Sequence, residues 1–140
     1  LMHANVEVVA LPLVDGRLDL QAVMQHLGAL EMNEVHLEAG AGLCGALLQA
    51  GLVDELVIYM APHLMGNAAR GLFDLPGLDT LAQRVQLKIT DMRAVGEDWR
   101  FSATVANGNS TLARLSAAKF FETTIAAESR SYNQARAVQG

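Results

Sequence analysis

The stretch EVHLEAGAGLCGALLQAGLVDELVIYMAP, residues 34–62, constrains the fold more than any other part of the chain. An apolar strand at 35–37 leads through a turn with three glycines into a helix predicted over 42–50. Gly51 is well placed to end that helix, and a second apolar strand follows over 54–62. Connections this short favour parallel strands that are joined by a helix packed on the sheet.

The segment before this stretch predicts one more strand and one more helix. Residues 6–11 form an apolar run closed by Pro12, which indicates a buried strand, and residues 14–16 indicate a turn. Asp19 is a plausible N-cap for a helix over 20–30. That helix is supported by apolar residues at helical spacing, namely Leu20, Val23, Met24, Leu27 and Leu30.

The segment after residues 34–62 has a different pattern of residue types. Residues 63–83 are glycine-rich and irregular, with one helical turn predicted within 78–83, and residues 85–105 alternate as a β-hairpin connected through 96–98. The predicted fold class is therefore α/β: a mixed, mainly parallel sheet flanked by helices, with an antiparallel hairpin near the C-terminal side.

Composition shifts at Asn107. Residues 107–140 contain four basic and two acidic residues, whereas six of the ten basic and thirteen of the fifteen acidic residues precede them. We expect residues 1–106 to form one domain, and residues 107–140 to form a linker followed by a C-terminal helical tail. The helix expectation depends on a loose apolar stripe made of Leu112, Leu115, Ala117, Phe121 and Ile125.

Composition also limits the partners. A net charge of −5 argues against a nucleic-acid surface and against anionic membranes, and no stretch is long and apolar enough for a membrane-spanning helix. The single cysteine, Cys44, cannot form a disulfide within one chain, which points to a reducing compartment and hence to the cytoplasm. We therefore expect no nucleic-acid and no membrane partner.

The glycine turn has the geometry of an anion site. Amides in the first turn of a helix point into the preceding turn, and glycines let a phosphate approach the backbone closely. Residues 40–43 lie at that turn, and Gly45 would permit close packing of the helix on a strand. The G-x-G-x-x-G spacing matches a dinucleotide fingerprint, but no acidic residue ends the following strand to hold a ribose. A phosphate site and a purely structural turn both remain open.

Several side chains near this turn allow two interpretations. Glu38 stands at the carboxyl end of a strand, where ligands bind in open α/β sheets, or it is a solvated strand end. Cys44 is either a thiol with a lowered pKa at a helix start or a small core residue. The histidines, His3, His26, His36 and His63, are scattered without ligand spacing, so we predict no metal site.

The run VHLEAGAGLCGALLQAGLVDELVIYMAPHLMG, with ARGLF and ITDMRAVGEDWRFSATV after it, resembles the C-terminal reductase domain of the bifunctional riboflavin-biosynthesis deaminase/reductase. The resemblance covers residues 6–105 and implies a dihydrofolate-reductase-like fold. It implies reduction of the ribosylamino group of a phosphorylated aminouracil, with hydride from NADPH. It makes Glu38 a substrate contact. It assigns to the NADPH phosphates a set of loop and helix residues, namely Gly40, Ala41, Gly42, Leu43, Cys44, Gly45 and Ala46.

The chain departs from the family pattern in two ways. Ala41 and Gly42 stand where the family commonly has Pro-Thr, and the family's domain is longer than the matching region. Residues 1–106 are thus expected to be a partial reductase domain, and no catalytic residue can be named. Three interpretations stay open: an active NADPH-dependent reductase, an inactive truncated relic that self-associates as a homo-oligomer, and a related reductase for another pterin-like or pyrimidine substrate.

Overall fold

The computed structural model describes residues 6–106 and the backbone of a strand at 122–128. Seven strands and two helices make up these residues, together with a short 3-10 helix at Leu81–Gln83. In chain order they are β1 Leu13–Val14, β2 Arg17–Leu18, α1 Leu20–Ala29, β3 Glu34–Leu37, α2 Ala41–Gln49, β4 Glu55–Met60, β5 Leu87–Val95, β6 Asp98–Val105 and β7 Glu122–Glu128.

The main sheet has five strands in the order β3-β7-β4-β6-β5. Strand β7 runs parallel to both β3 and β4, whereas β6 is antiparallel to both β4 and β5. The predicted α/β class with a mixed sheet is therefore confirmed. The sheet is not mainly parallel, because the described neighbour pairs divide equally between the two orientations.

The prediction of a strand at residues 6–11 was wrong. These residues have no regular structure, and Val6, Val8 and Val9 are exposed. The chain forms instead a small antiparallel hairpin, β1–β2, around the predicted turn at Asp15 and Gly16. An apolar run becomes a strand only when another strand offers it a free edge, and an apolar pattern alone does not provide that edge.

Local signals placed both helices to within one residue at each end. Asp19 caps α1 as predicted, since its Oδ1 accepts hydrogen bonds from the amides of Gln21 at 2.9 Å and Ala22 at 3.2 Å. Helix α2 ends before Gly51, whose φ of 67° is the left-handed conformation expected for a residue that terminates a helix. The amide of Leu52 then donates to the carbonyl of Leu47 at 3.0 Å, which closes the turn toward β4.

The core joins the two helices to β4. Met24 comes from α1, and Leu56 and Val53 are among the side chains with the least exposure. Because α2 contributes three core residues from its middle and end, its position relative to β4 is well fixed. The buried cluster consists of Met24, Cys44, Leu47, Leu48, Leu52, Val53 and Leu56.

The predicted hairpin is present as β5 and β6. Its turn consists of Gly96, with φ of 64°, and Glu97, so that Asp98 already belongs to β6. Leu87 pairs with Val105 and Ile89 pairs with Ala103, as the alternation predicted. A register shift follows Ile89, which is a β-bulge in an edge strand.

The prediction of a helical tail was also wrong for residues 122–128, the part of the tail that the structure describes. Residues 122–128 form β7, a strand with neighbours on both sides, and the remainder of the tail lies outside the described residues. The apolar stripe was a weak helix signal, and the consecutive β-branched residues Thr123, Thr124 and Ile125 favour a strand. β7 lies between β3 and β4 and pairs with both of them, and the local sequence did not reveal this pairing.

Candidate functional site

The glycine turn forms a corner between β3 and α2. Strand β3 ends at Leu37, the chain passes through Glu38 and Ala39, and Gly40 is the N-cap of α2. Gly40 has extended backbone angles, and no side chain caps the helix. Helix α2 thus begins at Ala41, one residue before the predicted start.

The first amides of α2 have no hydrogen-bond acceptor within the part of the chain that the structure describes. The first hydrogen bond at this end runs from the amide of Cys44 to the carbonyl of Gly40, at 3.2 Å. Among the described residues, no oxygen accepts from the amides of Ala41, Gly42 or Leu43. These donors and the positive end of the helix dipole are suited to an anion.

The corner has open space beside its two glycines, Gly40 and Gly42. A Cβ atom built on Gly40 or on Gly42 would meet no atom within 4 Å. The side chain of Leu43 is exposed beside them, and α2 has no acidic residue in its first turn. Within the described part of the chain, side chains are therefore not packed against Gly40 or Gly42, and the acidic residue at this corner is Glu38, which precedes the helix.

Gly45 is needed for a close backbone contact. A Cβ at Gly45 would overlap the carbonyl oxygen of Asp74 and lie 2.8 Å from its carbonyl carbon. The prediction of close packing was right in kind, but the partner is the loop at residues 71–75 and not a strand. The amide of Asp74 donates to the carbonyl of Ala41 at 3.0 Å, so this loop is tied to the first turn of α2.

Sequence reasoning missed the contact between this loop and α2, because Asp74 lies about thirty residues after Ala41 and Gly45 in the chain. The signal that could have suggested it is the glycine itself, one turn inside a helix where alanine would be favoured. A second tie supports the loop, since Nε2 of Gln49 donates to the carbonyl of Pro76 at 2.7 Å. The loop is therefore attached at both ends of α2.

Glu38 is placed at the same corner with its carboxylate in solvent. Its side chain is 76% exposed, and its Oε1 lies 3.3 Å from Nε2 of His36, which is itself exposed. An exposed pair of this kind contributes little to stability. The pair instead leaves the Glu38 carboxylate accessible to a ligand at the carboxyl end of β3.

Cys44 belongs to the core and not to the open corner. Its side chain is 1% exposed, and its Sγ donates to the carbonyl of Ala39 at 3.4 Å. Burial raises the pKa of the Cys44 thiol, and the hydrogen bond to Ala39 offsets only part of that effect. Of the two interpretations, the small core residue is the one that the structure supports.

We expect the Cys44 thiol of the native protein to react with a thiol reagent at least a hundredfold more slowly than the same thiol in urea. Since the folded pKa is raised above the unfolded value, the thiol's contribution to stability is complete below the unfolded pKa. That contribution is lost as pH rises through the folded pKa. Timed alkylation followed by mass spectrometry measures the rates, and equal rates in both conditions would contradict a buried Cys44.

Two further side chains stand at the edge of the sheet that carries Glu38. Met60 ends β4 and pairs with Trp99 at the start of β6, and both are exposed. β3 and β4 run in the same direction, but Leu37 at the end of β3 is level with Leu56, so Met60 lies four residues beyond the end of β3. Met60 follows Leu56 by four residues, so the pair lies on the sheet face that packs against α2.

The remaining expectations concern metals and membranes. In residues 6–106 and 122–128, no three histidine, cysteine, aspartate or glutamate side chains come close enough to hold a metal ion. No helix in that part of the chain is long and apolar enough to cross a membrane.

Comparison with known proteins identifies the family. The family model described as RibD C-terminal domain matches residues 2–101, which include the corner, the loop and both strands of the hairpin up to residue 101. The chain belongs to the RibD C-terminal domain family. The resemblance expected from the sequence is thereby confirmed.

Relatives and a solved structure agree with this assignment. The chain is 50% identical to the riboflavin biosynthesis protein RibD of Escherichia coli over 67% of its length, but that alignment spans 26% of the relative. It is 34% identical to a 5-amino-6-(5-phosphoribosylamino)uracil reductase of Buchnera aphidicola, over 60% of this chain and 41% of the relative. The fold is similar to Acinetobacter baumannii RibD, with a TM-score of 0.60 and 32% identity over 65% of this chain and 27% of the other.

Proposed function

We propose that the corner at residues 38–46 binds NADPH, and that the chain acts in the reduction of a phosphorylated aminouracil in riboflavin biosynthesis. The observation that carries the proposal is the start of α2, where three successive amides have no acceptor among the described residues and a Cβ at Gly40 or Gly42 would meet no atom within 4 Å. Family membership supplies the reaction class, since relatives are named as reductases of this pathway. A reduced nucleotide is the cofactor such a reductase requires, and NADPH is our specific choice.

The residues present fit a nucleotide phosphate. The amides of Ala41, Gly42 and Leu43 would donate to phosphate oxygens, and the N-terminal end of the helix dipole adds attraction. Cys44 and Gly45 hold this turn in place, because Cys44 packs in the core and Gly45 allows the loop to approach. Ala46 follows them within α2 and completes the proposed cofactor-binding segment. NADPH would supply the hydride, and the protein would orient the reactants and exclude water.

Glu38 is proposed as a substrate contact. Its exposed carboxylate can accept hydrogen bonds from hydroxyl groups of a ribosyl chain, and His36 at 3.3 Å limits how it orients. The amides of α2 and the exposed carboxylate of Glu38 both lie near the carboxyl end of β3. They would therefore hold the cofactor and the substrate beside each other.

Three further expectations continue as proposals. We assign residues 1–106 to a partial reductase domain and place the protein in the cytoplasm. We also propose a homo-oligomer, which is supported by β5, an edge strand with all nine residues exposed, among them Leu87, Ile89 and Met92. Exposed apolar edge strands favour pairing with another copy.

A titration with NADPH tests the cofactor proposal. We expect saturable binding in the micromolar range, followed by the fluorescence of the bound cofactor or of Trp99, the single tryptophan. Addition of the phosphorylated aminouracil should then oxidise bound NADPH, measured as loss of absorbance at the nicotinamide band. NADH serves as the matched control ligand.

The alternatives predict other outcomes. An inactive relic would show no binding up to millimolar NADPH, which would overturn the proposal. A related reductase for another pterin-like or pyrimidine substrate would bind NADPH with the same affinity but leave it unoxidised by the aminouracil. The relatives named as reductases of phosphorylated aminopyrimidines favour the first interpretation over this one.

A further inference from the structure

Strand β7 occupies a position that the family region does not fill. The RibD C-terminal domain match covers residues 2–101, so it contains β3 and β4, but β7 at Glu122–Glu128 lies outside it. In the sheet, β7 is nonetheless the strand between β3 and β4 and is paired to both. A region shared with the family thus presents two parallel strands whose common neighbour comes from elsewhere.

The attachment of β3 depends on this neighbour. Among the described strands, β3 pairs with β7 alone, from Glu34 opposite Glu122 to Leu37 opposite Ile125. On its other side β7 pairs with β4 over five residues, including Val57 opposite Ala126. Without a strand in this slot, β3 and β4 would each present an unpaired ladder of backbone groups in the middle of the sheet.

The sequence of β7 suits an interior position. ETTIAAE contains no proline and no glycine, and three consecutive β-branched residues favour the extended conformation. Ile125 is in register with Leu37 on one side and Leu56 on the other, both apolar positions associated with the core. The register therefore continues the apolar row of the sheet.

The chain's own tail can reach the slot. Strand β6 ends where β4 begins, since Thr104 pairs with Glu55, and β7 starts at that same end, since Thr124 also pairs with Glu55. The connection has to pass only one intervening strand, a separation of roughly 10 Å. Residues 107–121 provide several times that length even when they are not fully extended.

We propose that residues 122–128 complete the sheet of their own chain by filling a strand slot that the family region leaves between β3 and β4. Residues 122–128 are then an interior strand of the sheet that β3, β4, β5 and β6 form, and not an appendage to it. The slot is a strand-binding surface, and its occupant is a segment outside the family match. The inference does not rest on cofactor binding, so it can fail or hold independently of the proposed function.

A disulfide test in the full chain detects the pairing of β7 with β4 directly. Val57→Cys and Ala126→Cys, made together in a Cys44→Ala background, place two cysteines at directly paired positions. Neighbouring strands lie close enough for a disulfide between them. We expect rapid oxidation to an intrachain disulfide at monomer mass, at least tenfold faster than in a control with Val57→Cys and Ala137→Cys.

Three results decide the proposal. A monomer with a reducible shift in gel mobility supports it. A disulfide-linked dimer overturns it, because the slot would then be filled by a second copy. Oxidation no faster than in the control also overturns it, because residue 126 would not be the neighbour of Val57.

A matched proline pair provides the second measurement. Ala126→Pro removes a ladder donor from an interior strand, whereas Ala137→Pro makes the same change outside β7. We expect Ala126→Pro to lower Tm by about 10 °C or to abolish cooperative unfolding, with Ala137→Pro close to the unsubstituted protein. Equal Tm values for both variants would overturn the proposal.

Discussion

Gly45→Ala is expected to lower the stability of the protein, although alanine is the better helix former. In a helix interior that accepts a methyl group, the change would stabilise by about 1 kcal/mol. Here the added Cβ would overlap the carbonyl oxygen of Asp74. The obstacle is backbone that is held in place by the hydrogen bond from the Asp74 amide to Ala41, so it cannot rotate away as a side chain would.

Overpacking against rigid neighbours typically costs about 1–3 kcal/mol and exceeds the propensity gain at such a site. We therefore expect a net loss of about 1–2 kcal/mol and a fall in Tm of about 5–10 °C. Urea and thermal unfolding of the purified variant, followed by circular dichroism, provide the measurement. The change should also displace the loop from the first turn of α2.

Gly42→Ala is the matched control. Gly42 belongs to the same helix, but a Cβ there would meet no atom within 4 Å. We expect its stability to equal that of the parent or to exceed it by about 0.5 kcal/mol. If the two alanine variants were equally stable, the close contact between α2 and the loop at residues 71–75 would be disproved.

Gly42→Asp is expected to separate folding from cofactor binding. A carboxylate in the first turn of a helix interacts favourably with the helix dipole, so the folded state should keep its stability or gain up to about 1 kcal/mol. The same carboxylate would stand where the proposal places a phosphate. Like charges within about 4–5 Å near a protein surface cost about 1–4 kcal/mol, which corresponds to a loss of NADPH affinity of about 5- to 1000-fold.

The neutral variant Gly42→Asn controls for size and shape. Asparagine is almost the same size as aspartate, so any binding loss common to both variants reports on steric exclusion rather than on charge. NADPH titration of both variants, together with their Tm values, gives the comparison. Equal affinities for the two would show that no phosphate binds near Gly42, even if NADPH binds elsewhere on the chain.

The parts of the fold that sequence predicted are those with local causes. Asp19 accepts hydrogen bonds from amides two and three residues ahead, and Gly51 ends α2 through its own backbone angle. The hairpin β5–β6 closes through a two-residue turn. In each case the interacting groups are near neighbours in the chain, so the pattern of residue types contains the information.

The parts that sequence missed depend on distant partners. Residues 6–11 have a strand's composition but no strand beside them, whereas residues 122–128 were expected to be helical and pair on both sides. The same distinction applies to the corner. The opening of α2 was predicted from its glycines, but the contact between Gly45 and Asp74 was visible only once the chain was folded.

The pairing of β3 with β7 also sets an order for biosynthesis. Glu34 of β3 can pair only once Glu122 of β7 has been synthesised, nearly ninety residues later. Contacts this distant in sequence slow folding, because chain closure costs entropy before any contact compensates for it. On a translating ribosome, therefore, β3 can take up its place in the sheet only after the last residues of β7 have left the exit tunnel.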